Sequence, residues 1–136
     1  MRRRLGILLF AFSLTACATA EVYHGLGEQR GINQIVETLV PLLLADGRVG
    51  SSFDEADLVR LKTKLAEQFC ALSGGPCTYG GKDMRTIHDG LNVTRAQFNA
   101  LVEDLQLAMT RNGVAPRIQN RLLARLAPMQ RDVVTK

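Results

Sequence analysis

Cys70-Ala71-Leu72-Ser73-Gly74-Gly75-Pro76-Cys77-Thr78-Tyr79-Gly80-Gly81-Lys82-Asp83-Met84-Arg85-Thr86-Ile87-His88 is the stretch on which the reading of this chain turns. An apolar helical stripe enters it, Gly74-Gly75-Pro76 stops that helix, and Ser73 to Gly81 reads as a loop. The short segment Met84-Arg85-Thr86-Ile87-His88 follows and presents one imidazole to its surroundings. The chain has 2 histidines, and the other, His24, lies near its start and receives no role.

Helical periodicity dominates on both sides of this stretch. Gly31 to Ala45 carries Ile32, Ile35, Val36, Leu39, Val40, Leu43 and Leu44, and Asp46-Gly47 ends it with a turn signal. Pro41 lies inside that run and is expected to kink it, because proline lacks the amide for its own turn. Asp54 or Asp57 caps the next helix, which bears Leu58, Leu61, Leu65, Phe69 and Leu72. Downstream of His88, Thr94 caps a helix with Phe98, Leu101, Val102, Leu105 and Met109, closed by Asn112-Gly113. Pro116 opens a final helix with Ile118, Leu122, Leu126, Met129 and Val133 on one face. Nothing alternates with a period of two, so the expected class is all-α with about four substantial helices.

Residues 1–17 look like a targeting segment rather than part of the fold. Arg2, Arg3 and Arg4 form a positive start, Leu5 to Leu14 an apolar run too short to span a bilayer as a stable helix, and Leu14-Thr15-Ala16-Cys17 a small-residue ending before a cysteine. The pattern resembles a bacterial lipoprotein signal with Cys17 as the lipid-bearing first residue. The rival readings are a secretory signal cut near Ala18 or Ala20 and an uncleaved anchor. All three place the folded part outside the cytoplasm, and the lipoprotein reading puts it in the bacterial envelope, facing the periplasm. Ala18, which is not acidic, favours the outer membrane over the inner.

The arginines at 2, 3 and 4 supply three of the chain's four net positive charges. The basic balance therefore belongs to the targeting segment and gives no ground for a nucleic-acid partner. What remains is about 119 residues, one domain with a single core. With 5 Phe, 2 Tyr and no Trp, that core is built from Leu, Val, Ile, Ala and Met, or is completed by a flat apolar cofactor. Of the 3 cysteines, processing accounts for Cys17. Cys70 and Cys77 remain, and in an oxidising envelope they can pair and close a small loop worth about 2.5 kcal/mol. Metal binding is the competing reading, although two Cys without a second pair make a poor zinc site. There is no nucleophile elbow, phosphate loop or HExxH motif, and no basic stripe with interleaved aromatics.

Several motifs together carry a family resemblance. Tyr23-His24-Gly25-Leu26-Gly27 precedes a helix; Leu44-Ala45-Asp46 is followed by Phe53; Gly74-Gly75-Pro76 is joined by Tyr79-Gly80-Gly81; Met84 leads to His88; and Gly90-Leu91-Asn92-Val93-Thr94-Arg95-Ala96-Gln97-Phe98 comes after. From Val22 to Val134 the chain resembles the group I truncated haemoglobins. That resemblance implies a two-over-two helical sandwich around haem b, iron protoporphyrin IX, with His88 as the proximal ligand of the iron. Phe53 is then the aromatic on the haem face, and the glycine pairs are hinges for the shortened helices. Val40, Leu61 and Leu65 face the ligand side, while Lys64, Tyr79, Met84 and Phe98 line or rim the pocket, Lys64 as a possible partner for a propionate. The ligands implied are O2, NO or CO, with a reductase that the sequence does not identify.

The residues by themselves leave alternatives open. A buried imidazole is satisfied by iron on one nitrogen and a hydrogen bond on the other, yet a backbone-bonded histidine on a short helix is the common case. Phe53 and the leucine stripes read equally as core, Tyr79 as a packing anchor and Lys64 as a solvated face residue. Asn92-Val93-Thr94 fits a glycosylation pattern, but Thr94 is read as a helix cap.

One departure from the family matters for chemistry. Group I members commonly carry a Tyr on the second helix and a Gln on the third that hydrogen-bond bound oxygen; the matching positions here are Val40 and Leu65. An apolar wall forgoes roughly 1 kcal/mol of donor stabilisation of a polar Fe–O2 unit, which implies weak O2 retention. Gln68 and Gln97 are the residues to suspect if a donor is present after all. Two further function classes stay open at this point: a haem-dependent NO-detoxifying or peroxidatic enzyme, and a haem-free helical interaction lipoprotein on the same scaffold.

Overall fold

Every regular element among the described residues is helical. The structure, a computed structural model, describes the backbone from residue 15 to residue 136 and the side chains from residue 20. The targeting segment up to Leu14 and the Cys17 side chain lie outside the described residues. No described helix is long and apolar enough to cross a membrane.

The first helix, α1 (Thr15–Gly25), is absent from the periodicity reading, which finds no helix before Gly31. Its apolar positions are too few to make a stripe, and tertiary contacts hold it instead: Val22 is fully buried, and Glu21 pairs with Arg117 at 3.1 Å and with Arg121. Helix α2 (Glu28–Ala45) starts earlier than expected, after Gly27 in the left-handed conformation at φ 83°. Gly31 is required within its first turns, because a Cβ there would sit 2.0 Å from the Leu26 carbonyl oxygen. The helix continues through Pro41, which faces solvent beside the equally exposed Glu37, so the carbonyl it leaves unpaired meets water. Ile32, Ile35, Val36, Leu39, Val40 and Leu43 are buried along the opposite face, each contributing roughly 1.5–3 kcal/mol of transfer free energy.

Asp57 rather than Asp54 caps α3 (Leu58–Leu72), accepting from the Arg60 amide at 3.0 Å. Helix α4 is short (Met84–His88), and α5 (Arg95–Arg111) begins at a full capping box in which Thr94 and Gln97 satisfy each other's amides. The expected single final helix is split. Pro128 cannot continue the ladder, so α6 (Pro116–Leu126) ends in a 3-10 turn, Ala127–Met129, before α7 (Gln130–Val133).

Helix α2 packs against both α3 and α5, α5 also touches α6, and α6 reaches back to α3. The α2–α3 pair thus lies over the α5–α6 pair, a two-over-two sandwich. Of the α3 stripe only Phe69 is buried, with Cys70 beside it; Leu58, Leu61, Leu65 and Leu72 stay half-covered. That uncovered apolar face marks the site.

Candidate functional site

A cleft of about 160 Å³ opens between α3 and α5, floored by α4, the end of α6 and α7. It is lined by all eight of the expected pocket residues, Phe53, Leu61, Lys64, Leu65, Tyr79, Met84, His88 and Phe98. Gln68, Phe69, Ile87, Leu101, Val102, Leu126, Met129 and Val133 complete its wall. A second chamber of similar size shares Phe53, His88, Phe98, Leu101 and Val133, so His88 stands between the two. Val40 does not line either chamber. It lies on the α2 face turned to the core, 2% exposed, and the part of the distal wall assigned to it is supplied by α3.

His88 owes its position to α4. Asp83 opens that helix by accepting from the Thr86 amide at 2.9 Å and from the Thr86 hydroxyl at 2.7 Å, and these hydrogen bonds hold its carboxyl below the usual carboxylate range. Arg85 pairs with Asp132 at 2.9 Å and ties α4 to α7. Within the helix, His88 Nδ1 donates to the Met84 carbonyl at 2.7 Å. A carbonyl only accepts, so Nδ1 is the protonated nitrogen of the neutral ring, and in that form Nε2 keeps its lone pair. This is the arrangement that second-sphere hydrogen bonding gives a metal-ligating imidazole.

The loop from Ser73 to Asp83 closes the other side. Cys70 and Cys77 are joined by a disulfide with Cα atoms 5.8 Å apart. The bridge forces a turn in which Gly75 is required, since a Cβ there would lie 2.5 Å from the Tyr23 ring and 2.6 Å from Cys70 Sγ. Tyr79 gives its ring to the cleft while its hydroxyl donates to the Lys82 carbonyl at 3.0 Å, so the phenol anchors the loop. Lys64 donates to Glu67 at 2.8 Å, and Glu67 also accepts from the Gly80 amide at 3.2 Å. Lys64 and then the Gly80 amide hold the Glu67 carboxyl below its ordinary range. Any anion approaching Lys64 from the cleft therefore competes with Glu67.

Of the two glutamines, Gln97 is spent on the cap and on Ser52, whose hydroxyl its amide reaches at 3.3 Å. Gln68 lines the cleft, and its Nε2 lies 3.4 Å from Met84 Sδ and 3.5 Å from Met129 Sδ. Phe69, Ile87, Leu101, Val102, Leu126, Met129 and Val133 were not among the expected pocket residues, and Gln68 entered the sequence reading only as a suspected donor to the ligand. Helical spacing accounts for its place in the wall, since Gln68 follows Lys64 and Leu65 at i+4 and i+3 on the same face.

The donor set fits a haem: half-buried apolar walls that the polypeptide alone leaves uncovered, and one imidazole with a free Nε2 among them. Among the described residues no cluster of three or more His, Cys, Asp or Glu offers a competing metal site.

Comparison with known proteins agrees with this geometry. The bacterial-like globin family matches residues 21–135. A group 1 truncated hemoglobin of Mycolicibacterium paratuberculosis is 30% identical over 116 residues, 85% of this chain and 85% of that protein. One from Nostoc commune is 28% identical over 115 residues, 85% of this chain and 98% of that protein. The crystal structure of the truncated hemoglobin from Tetrahymena pyriformis in its Fe(III) form superposes with a TM-score of 0.82 at 27% identity, covering 85% of this chain and 98% of the other. With a His88-centred cleft inside a two-over-two helical sandwich, the chain belongs to the bacterial-like globins and, within them, to the group 1 truncated hemoglobins.

Proposed function

We propose that this protein holds haem b in the cleft between α3 and α5, with His88 as the protein ligand of the iron, and reversibly binds a diatomic gas, O2, NO or CO, at that iron. The observation that carries the reading is the Nδ1 hydrogen bond of His88 to the Met84 carbonyl, which leaves Nε2 free on a residue of the cleft wall. Bound there, haem would supply an iron able to take up a diatomic gas. The polypeptide does the rest: Met84 fixes the tautomer of the imidazole, Leu61 and Leu65 keep water from the ligand side, and Phe53 and Phe98 offer flat apolar surface. Truncated hemoglobin relatives that span nearly their whole length with this chain support the reading.

The sequence of residues 1–17 supports a location for this activity: the bacterial envelope, with the domain facing the periplasm on a lipid attached to Cys17. The disulfide between Cys70 and Cys77 suits such an oxidising compartment.

Purification of the domain from residue 18 with haem supplied is the decisive experiment. An intense Soret band is expected in the wild type, and its absence would favour a haem-free interaction protein. His88→Ala should lose stable haem or keep a weakly held haem that added imidazole rescues. A wild-type five-coordinate ferrous spectrum in that variant would remove His88 from the iron.

A further inference from the structure

His88 ends a helix of only 5 residues, none of them buried. One turn does not sustain itself, because nucleating a helix fixes several residues for a single hydrogen bond. Tertiary tethers must therefore place α4. The ion pair of Arg85 with Asp132 is one, but the Arg85 side chain is 78% exposed, and exposed pairs contribute little. The interior tether is Gln68. From α3 its Nε2 donates to Met84 Sδ at 3.4 Å and to Met129 Sδ at 3.5 Å, joining α3 to α4 and to the turn before α7. Met84 is also the residue whose carbonyl accepts from His88 Nδ1 at 2.7 Å.

We propose that Gln68 is a positioning residue for His88: by holding the Met84 and Met129 sulfurs it sets where α4 lies and, through the Met84 carbonyl, fixes the tautomer and bearing of the imidazole. The inference deepens the haem-binding reading and rests on it for the part that concerns iron. Thioethers are weak acceptors, so a half-buried amide served by two of them is a poor source of stability. A methionine or leucine at position 68 would fill the same space with less desolvation. What an apolar side chain lacks is direction: the amide aims two N–H groups at two sulfurs on different elements.

The test is a cycle of Gln68→Met, Met84→Leu and the double variant, which nearly conserve volume and leave the residue 84 carbonyl in place. Two readouts are taken: the imidazole nitrogen resonances of His88 in haem-free protein, and the iron–histidine stretching band of the ferrous haem-loaded protein. The wild type should show a single Nδ1–H tautomer. Gln68→Met and Met84→Leu should each replace it with a mixture of tautomers and shift and broaden the stretching band, and the double variant should do no more than either single, as coupled residues behave. The melting temperature of Gln68→Met should not fall, which separates positioning from general structural support. A wild-type tautomer signal or stretching band in both single variants, or additive effects in the double, would overturn the proposal. Failure of the wild type to take up haem would strike the haem reading, while the haem-free resonances would still decide the role of Gln68.

Discussion

Leu65 and Val40 show how far a residue-level match carries. The family resemblance matches both to positions that commonly carry a donor, yet only Leu65 lines the cleft; Val40 is buried in the core. Val40→Tyr would overpack that core, so Leu65→Gln is the variant that brings a donor to the ligand side. It should slow O2 dissociation roughly tenfold, equivalent to about 1.4 kcal/mol, and change CO dissociation far less, as stopped flow would show. Away from the cleft, Asp104 on α5 is 8% exposed and its Oδ2 has no hydrogen-bond partner. Burial first, and then the neighbouring Asp46, push its carboxyl above the ordinary range, with Arg48 opposing. A raised folded-state value means that folding favours the protonated acid: its stabilising contribution is complete below the unfolded value of about 3.9 and disappears as pH rises through the folded value. Asp104→Asn should therefore raise stability at pH 7 by about 1 kcal/mol, the desolvation of a poorly partnered group. Denaturant titrations should find the gain shrinking as the pH is lowered toward about 4, and a gain independent of pH would contradict the assignment.

Among the elements, those with strong local signals were legible. The stripes of α2, α3 and α5, the Asp57 and Thr94 caps and the proline start of α6 all lie in the sequence as residue type and spacing. Helix α1 and the break at Pro128 were not read, for opposite reasons. Contacts from elsewhere in the chain sustain α1, whereas the apolar stripe of the last helix carries on past a residue that cannot stay in the ladder. The loop between α3 and α4 depends on its covalent closure and on the Glu67 contact with Gly80. Cys77→Ser should lower stability by about 2.5 kcal/mol if loop entropy is the main term. It should also free Cys70 for alkylation in unfolded protein, and mass spectrometry of the wild type should show two hydrogens fewer than the reduced form. Two freely alkylatable wild-type thiols would count against the bridge.

For the whole molecule, the decisive property is an interior left unfinished. Helices α3 and α5 both pack on α2, while the apolar residues between them, Leu61, Leu65, Phe98, Leu101 and Val102, remain half-buried. A ligand that covers this surface in the folded state alone must stabilise the fold by mass action. Haem in excess of its dissociation constant by ~100-fold should contribute about 2.7 kcal/mol. That corresponds to an upward shift of the melting temperature on the order of 10 °C for a domain of this size. Calorimetry of haem-free and haem-loaded protein checks this, and coincident transitions would mean that the cleft does not take the group.

The sequence by itself determined the helical class, the stops at Gly74-Gly75-Pro76 and Asn112-Gly113 and the one imidazole that follows the loop, because periodicity, caps and breakers act within a few residues of each other. Only the tertiary structure decided which apolar residues are core and which are cleft. Val40 and Leu65 are alike as sequence, but one is buried beneath neighbouring helices and the other looks into the space between α3 and α5. The structure also settled the partners of the polar groups: Lys64 with Glu67, Gln97 with Ser52, and Gln68 with the sulfurs of Met84 and Met129. Apart from the i,i+3 pair of Lys64 and Glu67, these pairings join residues 16 to 61 positions apart, and no local pattern encodes a hydrogen bond over that distance.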